Sequence, residues 1–148
     1  MNYPIVVLKI DKEEKYVFAG STNGSIFIYK INEIHWNLHK ILYDHSKQIT
    51  SIAISNTLNA FASSSTDGFV NIYTLPDAKI LRSISKNNVP IEKVFLSAFP
   101  LPCLVILSNN IITTYGINGY VILSEVEEND IICPKVFTDR NNLDYIVY

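Results

Sequence analysis

The stretch STNGSIFIY, residues 21–29, returns as STDGFVNIY at residues 65–73. Ser21 matches Ser65, Thr22 matches Thr66, Gly24 matches Gly68, Ile28 matches Ile72 and Tyr29 matches Tyr73, at an offset of 44 residues (67 − 23). A third and fainter copy, PCLVILSNNIITTYGI at 102–117, sets Asn109-Asn110 at the corresponding place, at an offset of 42 (109 − 67), and Tyr115 six residues beyond Asn109. A chain that repeats at this interval builds its fold from one supersecondary unit used several times, because each unit buries its apolar face on a neighbour.

Within each copy, β-branched and aromatic runs flank Asn-Gly, Asp-Gly or Asn-Asn. These residue types tolerate the positive φ of two-residue hairpin turns, so each copy is read as a β-hairpin. A further strand is expected before each hairpin, at 4–10, 49–55 and 91–97, and another after it, at 39–44, 79–85 and 120–126. No stretch carries sustained helical spacing of apolar residues, and NEIHWNL at 32–38 is the longest gap between strand candidates. The expectation is an all-β chain of four-stranded antiparallel meanders. Units of that kind every 40 to 45 residues or so mark a β-propeller, whose sheets pack face to face as blades around an axis. The boundaries fall near 1–44, 45–86 and 87–128, with a partial unit at 129–148, which makes a single incomplete propeller of about three and a half blades.

The 148 residues are 48% hydrophobic and 18% charged with a formal net charge of −2, as in an ordinary soluble domain. So small a charge gives no electrostatic drive toward DNA or RNA, which needs clustered Lys and Arg, and no nucleic-acid partner is expected. The opening NYPIVVLKIDKEEK lacks the pattern of a secretory signal, and no apolar run nears the ~18 residues of a membrane helix. A cytoplasmic location without direct membrane insertion is therefore expected. Cys103 and Cys133 lie in apolar runs and are read as buried free thiols. Asn23-Gly24-Ser25 fits the glycosylation triplet, an accidental match in a chain without a secretory signal.

Residues 44–75, DHSKQITSIAISNTLNAFASSSTDGFVNIYTL, resemble a WD40 repeat. Asp44-His45 stands where that family has Gly-His, Asp67 holds the turn aspartate, and Ile72-Tyr73 replaces the apolar-Trp pair that ends the third strand. The resemblance implies a structural hydrogen-bond network of His45, Ser63 or Ser65, Asp67 and Tyr73, tying the loop before the first strand to the hairpin behind it. The other copies depart from the pattern. Asn23 and Asn109 replace the aspartate, Asn87-Asn88 stands at the third copy's Gly-His position, and no copy has the tryptophan. More narrowly, residues 40–148, with their Ile117-Asn118-Gly119 turn, look like the C-terminal propeller of BEACH-domain proteins. That likeness implies a piece of a large protein in vesicle trafficking or membrane-linked scaffolding, peripheral to membranes through its parent, with the propeller as an adaptor for other proteins.

An open arc leaves a blade face and a strand edge uncovered at each end. The missing blades are expected from the rest of a longer parent chain or from a second copy, and the isolated monomer is expected to be poorly soluble. Loops joining fourth to first strands and second to third strands emerge on one side of a propeller. They supply the candidate protein-binding face: Asn23, Asp44, Lys47, Gln48, Asp67, Asn87, Asn88, Asn109, Asn110, Glu128 and Asn129. The leading function is thus a non-catalytic interaction scaffold. The alternatives are a propeller-type enzyme with a central-channel site and a gene fragment with no role of its own. The first strands, which would line such a channel, offer an enzyme little beyond Lys9, Glu92 and Lys93. His45 is read as structural, since no spacing places a Ser or Cys nucleophile with it, and no catalytic residue is assigned. His35 and His39 have an H-x3-H spacing that only a helix would turn into a metal grip, so neither a metal nor a cofactor is expected. Trp36 is either a plug against an outer strand or an exposed anchor for a partner, and DKEEK (11–15) and EVEEND (125–130) are read as solvated loops.

Overall fold

The computed structural model describes residues 3–98, 101–126, 135–138 and 144–147, and every regular element within them is a strand. The first sheet is β1 (Ile5–Ile10), β2 (Tyr16–Ser21), β3 (Ile26–Ile31) and β4 (Trp36–Leu42), in chain order. The second is β5 (Ile49–Ser55), β6 (Ala60–Ser65), β7 (Phe69–Thr74) and β8 (Ile80–Ser85). The third is β9 (Lys93–Ser97), β10 (Cys103–Ser108), β11 (Ile111–Gly116) and β12 (Val121–Val126), and β13 (Lys135–Thr138) pairs with β14 (Asp144–Val147). All neighbours are antiparallel, and β1, β5 and β9 lie side by side as the inner strands of successive sheets. This is the expected all-β partial propeller.

The repeat reaches down to the irregularities. A register shift between Ile5 and Val7 recurs between Ile49 and Ser51, and each third-to-fourth strand pairing shifts beside its tyrosine, at Tyr29, Tyr73 and Tyr115. Such bulges bend and twist a sheet locally, which gives equivalent sheets the same curvature.

Two of the three hairpins turn differently from the two-residue expectation. Ser21 N–H bonds Ser25 O and Gly20 pairs with Ile26, so Thr22-Asn23-Gly24 is a three-residue loop. Thr66-Asp67-Gly68 repeats it, and in both only the glycine takes positive φ, +89° and +85°. Asn23 and Asp67 keep ordinary backbone angles, which leaves their side-chain oxygens free to accept the amides two residues on, Ser25 and Phe69. The third hairpin alone is a two-residue turn, with Asn109 and Asn110 at φ 50° and 57° and Ser108 paired directly to Ile111. One residue has been lost there, so β10 trails β6 by 43 positions (108 − 65) while β11 trails β7 by 42 (111 − 69).

Several local expectations need correction. NEIHWNL is no gap, because β4 begins at Trp36 and the link from β3 shrinks to 32–35. The period-two spacing of Trp36 and Leu38 already belongs to the strand, and both project into solvent from it, which removes the plug reading of Trp36. His39 lies within β4 against the Tyr16 ring, while His35 precedes the strand. Among the described residues no cluster of three His, Cys, Asp or Glu side chains is placed to hold a metal. Cys103 is half-buried rather than buried, since it opens β10 at the sheet's end; Cys133 falls outside the described residues. Glu125 and Val126 close β12 instead of forming a loop, and the rest of EVEEND lies outside the described residues.

Apolar burial lies between sheets. Phe18, Ile26 and Ile28 of the first sheet meet Ile49, Ile52, Phe61 and Tyr73 of the second, with ring centroids 4.8 Å apart for Phe18–Phe61 and 4.7 Å for the stacked Phe61–Tyr73. A second layer sets Ala62, Val70, Ile72 and Ile84 against Ile91, Val94, Leu104, Ile106 and Tyr115. Each fully buried aliphatic or aromatic side chain here contributes roughly 1.5–3 kcal/mol. On the rim opposite the hairpin turns, polar stitches join the first two sheets. Buried Asp11, read as part of a solvated loop, accepts from the amides of Lys15 (2.8 Å) and Tyr16 (2.6 Å) and from Asn56 Nδ2 (3.2 Å). Lys40 Nζ reaches the carbonyls of Asp77 and Ala78 at 2.8 and 3.0 Å.

Candidate functional site

The loop between β4 and β5 drops His45 into the second sheet, and the hairpin β6–β7 receives it. His45 Nδ1 lies 3.1 Å from Asp67 Oδ2, and Nε2 lies 2.8 Å from Ser63 Oγ. Asp67 also accepts from the amides of Ser46 (2.9 Å) and Phe69 (3.0 Å), so one carboxylate fastens both the loop and the turn. Ser65 bridges elsewhere, its hydroxyl donating to Lys47 O at 3.1 Å and accepting from the Asp67 amide at 3.1 Å. Tyr73 O–H donates to Asp44 Oδ2 at 3.2 Å. His45, Ser63, Ser65, Asp67 and Tyr73 are all buried together at this point. Sequence reasoning missed Asn71, whose Nδ2 lies 3.4 Å from His45 Nε2; its place two residues before Tyr73 on β7, hence on the same face, was the signal that could have found it.

Burial pulls the His45 imidazole below its ordinary pKa, only partly offset by Asp67. The ring is therefore neutral near pH 7, with its proton on Nδ1, because a carboxylate can only accept. For Asp67, burial pushes upward, but the Phe69 and Ser46 amides and His45 outweigh it and hold the carboxyl below the usual range. Burial keeps the Tyr73 phenol well above its ordinary value, so it stays a donor.

Ser63, His45 and Asp67 thus share the connectivity of a nucleophile, a base and an orienting acid, a juxtaposition that the spacing did not disclose. Exposure decides its meaning. The His45 side chain and Ser63 are both 0% accessible, so a substrate carbonyl has no approach to Ser63 Oγ. The three groups act as a latch.

Above the latch, turns and loops alternate along one rim. Gly24 sits so tightly on the carbonyls of His45 and Lys47 that a Cβ there would stand 2.7 Å from Lys47 O. One sheet on, a Cβ at Gly68 would stand 2.7 Å from Asn88 Cα, and Lys86 N donates to Gly68 O at 2.9 Å. Further on, Asn109 N donates to Glu92 Oε1 at 2.8 Å. The rim therefore runs continuously from Asn23 through Asp44, Lys47 and Gln48, then Asp67, Asn87 and Asn88, to Asn109 and Asn110. Asp44, Lys47, Gln48, Asn87, Asn88 and Asn109 are exposed, Asn23 and Asn110 are half-buried and Asp67 is buried. Asp67 belongs to the latch rather than to the surface; Glu128 and Asn129 fall outside the described residues.

The latch changes chemistry in the other sheets. At the third, Lys86 stands in the place of Asp44 (86 − 44 = 42); its ammonium bonds Thr113 Oγ1 at 2.8 Å and lies 5.5 Å from the Tyr115 ring centroid. In the first sheet, Ala19 and Phe27 occupy the places of Ser63 and Asn71 (each 44 residues earlier), so no polar socket exists there.

The fold and the latch define a partial β-propeller of WD40-like fold. Residues 36–74 match the family described as "WD domain, G-beta repeat", a span running from β4 to the end of β7. Among solved structures, the chain is similar to the β-propeller domain of Cps50 (Swd1) from Myceliophteria thermophila, with 18% identity, a TM-score of 0.69, and coverage of 79% of this chain and 38% of that one. It is similar also to U3-55K (12% identity, TM-score 0.77) and to the RRP9 WD40 repeats (12% identity, TM-score 0.76), each covering 88% of this chain and 41% of the other. The chain thus spans about two fifths of the length of the structures it matches. No curated protein matches it in sequence.

Proposed function

We propose that this chain is a non-catalytic protein-interaction segment of a longer WD40 propeller, that it works in the cytoplasm, and that it binds a protein partner through the rim of hairpin turns and inter-sheet loops. The observation that carries the reading is the continuity of that rim, where exposed polar side chains stand on backbone fixed by a buried latch and by glycine-tight packing. Preorganised polar groups bind at low entropic cost, which suits a scaffold. In its finer form the proposal makes the parent a BEACH-type protein of membrane trafficking. That form rests on sequence resemblance, including the Ile117-Asn118-Gly119 segment, a tight turn in which Gly119 N donates to Gly116 O at 2.8 Å.

Lys47→Glu, Gln48→Ala and Asn88→Gly alter the rim without touching the latch, and glycine at 88 keeps the positive φ of 65°. In a pull-down with the complete parent protein, at least one of them is expected to lower partner recovery about tenfold, a loss of roughly 1.4 kcal/mol. Undiminished recovery with all three removes the rim from the function. Co-fractionation of the parent with membranes checks the trafficking form separately.

A further inference from the structure

The chain holds two Asn-Gly pairs, Asn23-Gly24 in the β2–β3 loop and Asn118-Gly119 between β11 and β12, and the fold treats them differently. In such a pair the backbone nitrogen of the glycine can attack the side-chain carbonyl carbon of the asparagine, and a residue without a Cβ leaves that attack unhindered. The attack closes a five-membered imide and expels the side-chain nitrogen as ammonia. Water then opens the imide at one of its two carbonyls. Either aspartate or isoaspartate results, each with a carboxylate where a neutral amide stood.

For the reaction to start, the asparagine side chain must swing toward the next nitrogen. Asn23 is held away from it. Its Oδ1 accepts from the Ser21 hydroxyl and, at 3.1 Å, from the Ser25 amide, both residues are buried, and Gly24 is wedged on the carbonyls of His45 and Lys47. Asn118 is exposed, and its Oδ1 accepts one long bond, from the amide of exposed Tyr120 at 3.4 Å. Gly119 N donates to Gly116 O at 2.8 Å, and this bond has to open, but the atoms nearest a Cβ at Gly119 belong to the movable end of Arg82 and not to backbone. The second turn therefore opens at far less cost than the first.

Arg82 also decides what the product meets. Its Nη1 lies 2.9 Å from where a Cβ on Gly119 would stand, and among the described residues its guanidinium has no hydrogen-bond or ion-pair partner. The preceding joint shows what is missing. Lys40, which holds the same place 42 residues earlier (82 − 40), reaches the matching turn (119 − 77 = 42) and finds two acceptors there, the carbonyls of Asp77 and Ala78. At the second joint the cation is in position and the acceptor is not.

We propose that Asn118 is a site of spontaneous deamidation, and that the carboxylate it produces pairs with Arg82 and adds an ionic stitch between the second and third sheets on the rim opposite the hairpin turns. The inference rests on the β11–β12 turn and on Arg82, so it holds whether or not the hairpin rim binds a partner.

Incubation of the complete parent protein at mildly alkaline pH, followed by peptide mapping with mass spectrometry, tests the site. Asn118 is expected to convert at least about tenfold faster than Asn23 in the folded protein and at a similar rate in denaturant, where the structure around Asn23 is gone. Equal rates in the folded protein, or the same disparity in denaturant, overturn the proposal. Asn118→Asp tests the pairing. Its thermal midpoint is expected about 1–3 °C above wild type at low salt, with the gain absent at high salt and in an Arg82→Met background. No gain, or a gain that survives Arg82→Met, overturns the ionic stitch.

Discussion

Asp67→Asn removes one charge from the latch and changes almost nothing in shape. The carboxylate now serves three donors: Phe69 N at 3.0 Å on Oδ1, Ser46 N at 2.9 Å on Oδ2, and His45 Nδ1 at 3.1 and 3.3 Å between them. An amide offers one acceptor oxygen and one NH2 group. With its oxygen toward Phe69, the NH2 faces the Ser46 and His45 donors; reversed, it faces Phe69. Either way a buried donor loses its acceptor, at a cost of about 1–3 kcal/mol, and the bonds that remain fall back to neutral strength, for about 1 kcal/mol more. At 2–4 °C per kcal/mol for a chain of this size, the midpoint should drop by about 4–16 °C in circular-dichroism melts at pH 7. A pH series sharpens the reasoning. Both latch groups have folded-state pKa values below their ordinary ones, so both give stability that is present at high pH and lost on acidification. The His45 share should fall away below about pH 6.5 and the Asp67 share below about pH 4. Asp67→Asn should keep the first decline and lose the second. A midpoint within about 1 °C of wild type at pH 7, or identical pH profiles, would refute the account of the latch.

Gly68→Ala combines a φ of +85° with a Cβ 2.7 Å from the Asn88 backbone and should cost at least about 2 kcal/mol, whereas Gly119→Ala, whose new Cβ meets only the flexible end of Arg82, should cost about half that; chemical denaturation compares them. Phe61→Ala empties the wholly buried site between Phe18 and Tyr73, and a loss of about 3–5 kcal/mol in the same assay is expected. Lys86→Met keeps the aliphatic stem but deletes the bond to Thr113 and the contact over Tyr115, for an expected loss of about 1–2 kcal/mol; a difference under about 0.3 kcal/mol would show that the third sheet does not depend on it.

The strands and their order were legible because the chain states them three times, and a β-branched run between two turn residues has few other ways to fold. The latch was legible only through resemblance, since His45 and Asp67 lie 22 residues apart and nothing local announces their meeting. Turn geometry was the harder matter. Asn-Gly and Asp-Gly suit two-residue turns, but here Asn23 and Asp67 use their side chains to cap the turn, which fixes their backbones at negative φ and leaves the positive φ to glycine alone. The start of β4 was hidden for a different reason. Exposed Trp36 and Leu38 alternate with polar residues on an outer strand whose burial is slight, so the two-residue period has little contrast against a loop. Lys86 was unreadable as a latch because it replaces a carboxylate with a cation, and only the ring of Tyr115 makes sense of the exchange.

Near-identical sheets joined in a row face a problem of order, since any one could in principle dock where another belongs. Here each joint has its own key: a neutral imidazole held by a carboxylate between the first and second sheets, and an ammonium laid over a phenol ring between the second and third. Exchanging neighbours would press Lys86 onto Phe27 or strand His45 against Ile106, so the drift of the repeats away from one another safeguards the sequence in which they assemble.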